Sequence, residues 1–213
     1  QLSEYYPNSR IIANELDKSR LKGLFSNIDR MWGENIHVTN YDGRFFKQIP
    51  ESFDKVLLDA PCSWEGTAFK TEDALKHWNI KNIKRIAKLQ FGLLEAAWKT
   101  VKVWWEIVYS TCTLNTMENE EILEKFFKKY EWSFEIIPLS KEKYIRNWPH
   151  KNGTGWFFVA KIQKISSLEW NQDMKPVRQN YEKLSSQEKK IIQDFYQSNF
   201  SIDISKKYTY TYR

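Results

Sequence analysis

The chain of 213 residues contains two cysteines, Cys62 and Cys112, and each sits just beyond an apolar run. In residues 55–66, KVLLDAPCSWEG, the run Val56, Leu57, Leu58 leads straight into Asp59, Pro61 and Cys62. In residues 106–114, EIVYSTCTL, a second run over 107–109 ends in a small polar turn that holds Cys112. A thiolate is a strong nucleophile toward electron-poor carbon once its pKa is lowered or a base lies beside it. Two thiols and a carboxylate brought to one place therefore suit covalent activation of a ring. A buried Asp-Pro turn with a passive cysteine is the plainer alternative. A structural disulfide is a third, although two cysteines in a chain of this length do not make a disulfide scaffold.

The elements that must position these groups are those of an α/β fold. Continuous apolar runs fit central strands buried on both faces, and in open α/β sheets ligands bind at the carboxyl ends of such strands. Two neighbouring parallel strands would bring both thiols to one edge. Residues 10–14, RIIAN, read as a strand ending at Glu15, and residues 35–39, NIHVT, as a strand followed by Tyr41-Asp42-Gly43. Residues 18–31 have helical spacing, with Leu21, Leu24, Phe25 and Ile28 on one face. Residues 71–100 read as largely helical, with Ile83, Ile86, Leu89, Gln90, Leu93 and Leu94 on the buried stripe. A helix over 117–130 and strands over 134–137 and 157–162 follow. After Lys164 the pattern weakens, with one amphipathic helix over 185–199 and a strand-like ending, YTYTYR. The reading is a domain over 1–164, then a linker and the start of an accessory region over 165–213.

A net charge of +6 and a pI near 9.1 favour a polyanionic partner. Lys81, Lys84, Arg85 and Lys88 on the long helix, with Lys70 and His77 near the first cysteine loop, are candidates for nucleic-acid phosphates and equally the residues of a solvated face. No run of 18 apolar residues and no signal peptide is present, so the expected setting is a reducing cytoplasm with no membrane partner.

The segments DAPCSxEG, YSTCTLN and Glu118-Asn119-Glu120 resemble the Nol/Nop/Sun family of S-adenosylmethionine-dependent RNA cytosine-5 methyltransferases. The resemblance implies a Rossmann-like class I fold with a mostly parallel central sheet, acting as a monomer on ribosomal RNA, with transfer RNA as the alternative. It implies that Cys112 bonds to carbon 6 of cytosine, that Asp59 holds the base edge, and that Cys62 assists release of the product. Cofactor contacts fall on Glu15 for the ribose, Asp42 for the adenine, and Asp59; substrate contacts fall on Pro61 and Lys70. Such folds place a glycine-rich loop after their first strand, and none precedes Glu15, which implies that this strand and loop are missing and that the fragment alone is inactive. A non-catalytic RNA-binding remnant is the reading from another class. A DNA cytosine-5 methyltransferase would use the Pro-Cys thiol as nucleophile, and Cys112 in YSTCTL argues against it.

Ten tryptophans and seven glycines are an unusual balance against a usual glycine content of ~7%. Trp32, Trp64, Trp104, Trp105 and Trp156 stand where the family has glycine, at turns that favour positive φ or close backbone approach. One explanation is a gene that reads UGA as glycine, translated with UGA as tryptophan; a diverged enzyme is the other. Trp78 and Trp148 match family tryptophans, and Trp98, Trp132 and Trp170 are left open.

Overall fold

Alternating burial along the longest strand shows where the core lies. In β4 (Val101–Thr111) the side chains of Ile107 and Tyr109 are fully buried, whereas Trp104 and Trp105 face outward. The computed structural model describes residues 1–68, 75, 76, 78–167, 182, 183, 185–200, 211 and 212. Two compact units divide at Gln172.

In the first unit, α1 (Leu2–Tyr5) and β1 (Ile11–Asn14) lead to α2 (Lys18–Arg30) and β2 (Ile36–Thr39). Asp17 starts α2 by accepting the Ser19 N–H at 2.8 Å, which satisfies one orphan donor of the first turn. A 3-10 turn over Gly43–Gln48 precedes β3 (Phe53–Asp59). The long α3 (Ile80–Thr100) begins where Asn79 accepts the Asn82 N–H at 2.8 Å, nine residues later than the expected start at 71. Residues 69–74 and 77, which include Lys70 and His77, lie outside the described residues. α3 runs directly into β4. Beyond β4 the helix expected over 117–130 is split into a 3-10 turn (Thr116–Glu118) and α4 (Glu120–Lys129), with Asn119 at the break. β5 (Phe134–Ile137), β6 (Ile145–Asn147), α5 (Pro149–Asn152) and β7 (Phe157–Lys164) complete the unit.

The sheet is mixed. β1 pairs parallel with β2, and β3 parallel with β4, while β7 adds antiparallel to β4 and carries β5 and β6. The order in the larger sheet is β3-β4-β7-β5. The apolar run 56–58 predicts a strand covered on both sides, but β3 pairs with β4 alone among the described residues and Leu57 is 57% exposed. One face of the run, with Val56 and Leu58, packs against the core, and the face with Leu57 does not.

The core joins α3, α4, β4 and β7 through Leu94, Trp98, Ile107, Tyr109, Phe126, Phe158 and Ile162. Trp98 stacks on Tyr130 at 4.6 Å and meets Phe126 edge-on at 6.3 Å. Burying side chains of this size contributes ~1.5–3 kcal/mol each, so this cluster dominates the stability of the unit. The Lys164 ammonium is buried at the strand end, donating to the Val101 carbonyl at 3.0 Å and pairing with Glu51 at 3.2 Å.

In the second unit α6 (Ser186–Phe200) follows β8 (Glu182–Lys183), and β8 pairs antiparallel with β9 (Thr211–Tyr212). The helix matches the expected 185–199. Among the described residues no helix is long and apolar enough to cross a membrane.

Candidate active site

The parallel register of β3 and β4 places Asp59 opposite Ser110, so both strands release their loops at the same level of the sheet. The Ala60 N–H donates to the Ser110 carbonyl at 2.9 Å, and the Ser110 hydroxyl to Asp59 Oδ1 at 3.1 Å. Two residues further on, the loops bring Cys62 Sγ to 3.1 Å from Cys112 Sγ, and both thiols are free. The backbones are equally close. Gly66 N–H donates to the Cys112 carbonyl at 2.9 Å, and a Cβ at Gly66 would lie 2.3 Å from that oxygen. Only glycine permits this approach.

The two thiols are driven apart in acidity. The hydrogen bond to Cys112, reinforced by burial, pushes the Cys62 thiol well above its ordinary value. The same bond pulls Cys112 below its own, against burial and the negative charge of Asp59. A donated hydrogen bond stabilises the charged form of the acceptor, so of the two thiols Cys112 ionises the more readily. Cys112 is also the less buried of the two. This is the arrangement of a nucleophile with an adjacent proton-bearing partner.

Two carboxylates fix the loops around the sulfurs. Glu65 reaches from the first loop into the second: Oε2 accepts the Thr113 hydroxyl at 2.9 Å and the Leu114 and Asn115 N–H groups at 3.0 and 2.9 Å. Its Oε1 accepts Trp78 Nε1 at 2.6 Å and Asn115 Nδ2 at 3.1 Å. Burial raises the Glu65 pKa, but the hydrogen bonds led by Trp78 and Thr113 outweigh it and hold the carboxyl below its ordinary range. Glu118, fully buried, reaches the other way and accepts the Ser63 N–H at 3.0 Å, Gln90 Nε2 at 2.8 Å and Asn115 Nδ2 at 2.7 Å. Ser63 and Thr113, each following a cysteine, share a hydroxyl hydrogen bond of 2.7 Å. Asn119 accepts the Thr111 hydroxyl at 2.6 Å and donates to the Thr113 carbonyl at 3.1 Å. Glu120 takes a bidentate pair from Arg146, whose third nitrogen donates to the Leu114 carbonyl at 2.9 Å. Sequence reasoning marked Glu118-Asn119-Glu120 only as part of a pattern and gave Glu65 no role. The signal available was an acid three residues beyond Cys62 and another six beyond Cys112, too common to assign alone.

Glu15 follows β1 and Asp42 follows β2, so the parallel pairing brings these two predicted acids to adjacent strand ends. Asn40 Nδ2 donates to the Glu15 carbonyl at 2.6 Å, and Asn14 exchanges two hydrogen bonds with the Tyr41 backbone, which knits the ends together. The Glu15 carboxylate accepts the Asp17 N–H at 2.9 Å and pairs with Arg20 at 3.3 Å. Asp42 accepts the N–H of Arg44 at 2.9 Å and its Nε at 3.0 Å, and this hydrogen bonding lowers its pKa. Pro61 is exposed, with its carbonyl taken by Gln90 Nε2 at 2.7 Å. Lys81, Lys84, Arg85 and Lys88 form an exposed basic face of α3.

The family described as 16S rRNA methyltransferase RsmB/F matches residues 2–163. Ribosomal RNA small subunit methyltransferase F of Aeromonas salmonicida is 40% identical over 170 residues, covering 74% of this chain and 36% of that protein. The protein of the same description from Shewanella piezotolerans is 37% identical over 206 residues, 90% of this chain and 44% of its own length. The chain thus spans less than half the length of these curated relatives. Among solved structures, NSun6 from Pyrococcus horikoshii with SFG is 31% identical with a TM-score of 0.66, over 74% of this chain and 42% of that one. The matched span contains both cysteine loops, every strand of the first unit up to β7 and the acids at the strand ends, in a Rossmann-like methyltransferase fold. The chain belongs to the RsmB/F family of 16S rRNA methyltransferases.

Proposed function

We propose that this chain is the catalytic part of an enzyme that methylates carbon 5 of a cytosine in ribosomal RNA through a covalent cysteine adduct. The observation that carries the reading is the 3.1 Å contact between Cys62 Sγ and Cys112 Sγ, with its opposite effects on the two acidities. Carbon 5 of cytosine is a poor nucleophile until a thiolate adds at carbon 6. Cys112, the more readily ionised thiol, makes that bond. Asp59, held by Ser110 at the end of β3, hydrogen-bonds the ring nitrogen and amino edge of the base and orients the ring for addition. Cys62 assists the release step, in which the proton on carbon 5 passes to a water molecule and the electrons of that bond expel Cys112 as thiolate. Base contacts are assigned to Pro61 and, by the family resemblance alone, to Lys70, and the target nucleotide leaves its stack to reach the thiols.

S-adenosylmethionine supplies the electrophilic methyl group, and the solved archaeal relative carries an analogue of it. The residues present fit such a group. Glu15, Asp42 and Asp59 stand at or just past the carboxyl ends of β1, β2 and β3, where acceptors for ribose hydroxyls and an adenine amine belong. The exposed basic face of α3 suits RNA phosphates.

The test uses the protein as its cell makes it, incubated with ribosomal RNA. Cys112→Ala abolishes transfer, whereas Cys62→Ala permits it and accumulates RNA covalently joined to protein. Equal loss of covalent chemistry in both variants overturns the two roles. Trapping lost in Cys62→Ala and kept in Cys112→Ala would make the Pro-Cys thiol the nucleophile.

A further inference from the structure

Four tryptophans hold a backbone conformation that L side chains rarely adopt: φ is 53° at Trp32, 59° at Trp64, 69° at Trp104 and 69° at Trp132. Among the described residues positive φ occurs at two others, Glu51 and Gly153. The left-handed region drives Cβ against the following carbonyl, and for a bulky residue it is an outlier. One such tryptophan would be a curiosity; four share a cause.

Each of the four stands at a place where local hydrogen bonding calls for glycine. Past the end of α2, Gly33 N–H donates to the Ile28 carbonyl at 3.0 Å and Trp32 N–H to Asp29 at 3.3 Å. That is the Schellman pattern, and Trp32 occupies its left-handed position, which is normally glycine. Trp64 opens the 3-10 turn of the first cysteine loop with its carbonyl accepting the Thr67 N–H at 2.9 Å. Trp104 lies in an irregularity of the β3–β4 ladder, where partners step from Phe53↔Val101 to Lys55↔Glu106, so β4 carries extra residues in a bulge. A left-handed bulge residue is typically glycine. Trp132 is the third residue of a turn closed by Ser133 N–H on the Tyr130 carbonyl at 3.1 Å, and positive φ at that position again favours glycine.

The indoles at these four sites face solvent, with exposures of 84%, 59%, 67% and 88% for Trp32, Trp64, Trp104 and Trp132. Other tryptophans are built into the fold at ordinary φ. Trp98 is 2% exposed inside the core, Trp78 donates Nε1 to Glu65, and Trp148 packs edge-on against Trp156 at 4.7 Å and under the Arg146 guanidinium at 5.7 Å.

We infer that Trp32, Trp64, Trp104 and Trp132 are glycines in the protein the cell makes, each encoded by a UGA codon that its ribosomes read as glycine. UGA read as tryptophan in translating the gene places an indole wherever the native fold has such a glycine. The backbone adds Trp132, which the sequence left open. It does not include Trp105 or Trp156, whose φ values are ordinary. Trp170 lies outside the described residues. The inference stands on backbone geometry and holds whatever the chain catalyses.

The test is peptide sequencing by mass spectrometry on protein isolated from its own cells. Glycine is expected at positions 32, 64, 104 and 132, and tryptophan at 78, 98 and 148. Tryptophan at any of the first four overturns the inference. Glycine at 78, 98 or 148 overturns backbone conformation as the criterion that separates the two sets.

Discussion

Glu65 lies three residues beyond Cys62 and Asn115 three residues beyond Cys112, and the two are joined twice, Asn115 N–H to Oε2 at 2.9 Å and Asn115 Nδ2 to Oε1 at 3.1 Å. The strap runs from one cysteine loop to the other, so the separation of the sulfurs is set by groups that take no part in covalent chemistry. Glu65→Ala leaves the Leu114 and Asn115 N–H groups without their acceptor, at a cost of about 1–3 kcal/mol in chemical denaturation. Glu65→Gln changes the acid limb as well. The folded pKa of Glu65 lies below its unfolded value of 4.5, so its contribution is fully present above pH 4.5 and is lost as pH falls through the folded pKa. The stability of Glu65→Gln should therefore fall less steeply below pH 4.5 than that of the parent.

Gly66→Ala tests the backbone approach. A Cβ there meets the Cys112 carbonyl at 2.3 Å, and a peptide group cannot rotate aside as a side chain can. The loop bearing Cys112 must move, at ~1–3 kcal/mol in stability. A displacement of this size in a reacting group can lower the rate by roughly 100-fold. Thermal unfolding and single-turnover methylation read the two losses separately.

The division of acidity between the thiols is open to alkylation kinetics. At neutral pH iodoacetamide should modify Cys112 well ahead of Cys62. In Cys62→Ala the donor to Cys112 is gone, the Cys112 pKa rises, and the pH at which its alkylation half-maximises moves up. Each unit of that rise removes roughly tenfold of the thiolate at a pH below the pKa. Comparable rates for both thiols in the parent protein would contradict the assignment.

The strand that bears Asp59, the pairing of the two cysteine strands and the helices α2, α3 and α4 were legible because apolar runs and helical periodicity survive without tertiary context. The cross-straps were not. Glu65, Glu118 and Asn119 are ordinary polar residues in sequence, and their partners lie as much as 50 and 55 positions away in the other loop, as Asn115 does for Glu65 and Ser63 for Glu118. β6 and α5 were missed because three- and four-residue elements carry no periodicity. The exposure of the Leu57 face of β3 was also hidden, since an apolar run reads the same whether one face or both are covered.

In full-length protein made with tryptophan at 32 and 132, tryptophan substitutions should separate into two classes. Trp98→Ala removes a core side chain stacked on Tyr130 and should cost about 3–5 kcal/mol. Trp132→Gly and Trp32→Gly relieve left-handed strain of roughly 1–2 kcal/mol each, against a smaller entropic cost of glycine in the unfolded chain. Their unfolding midpoints should rise. A fall comparable to that of Trp98→Ala would show that these indoles carry stability of their own.

The left-handed cap at Trp32 also bears on where this gene can be read at all. In a host that takes UGA as a stop, translation ends after Met31, releasing β1 and α2 with no β3, no β4 and neither cysteine. The gene would then be silent in most recipients after horizontal transfer, and a recombinant host would make only a product truncated at Met31 unless the codon were rewritten. A helix terminus becomes a barrier between genetic codes.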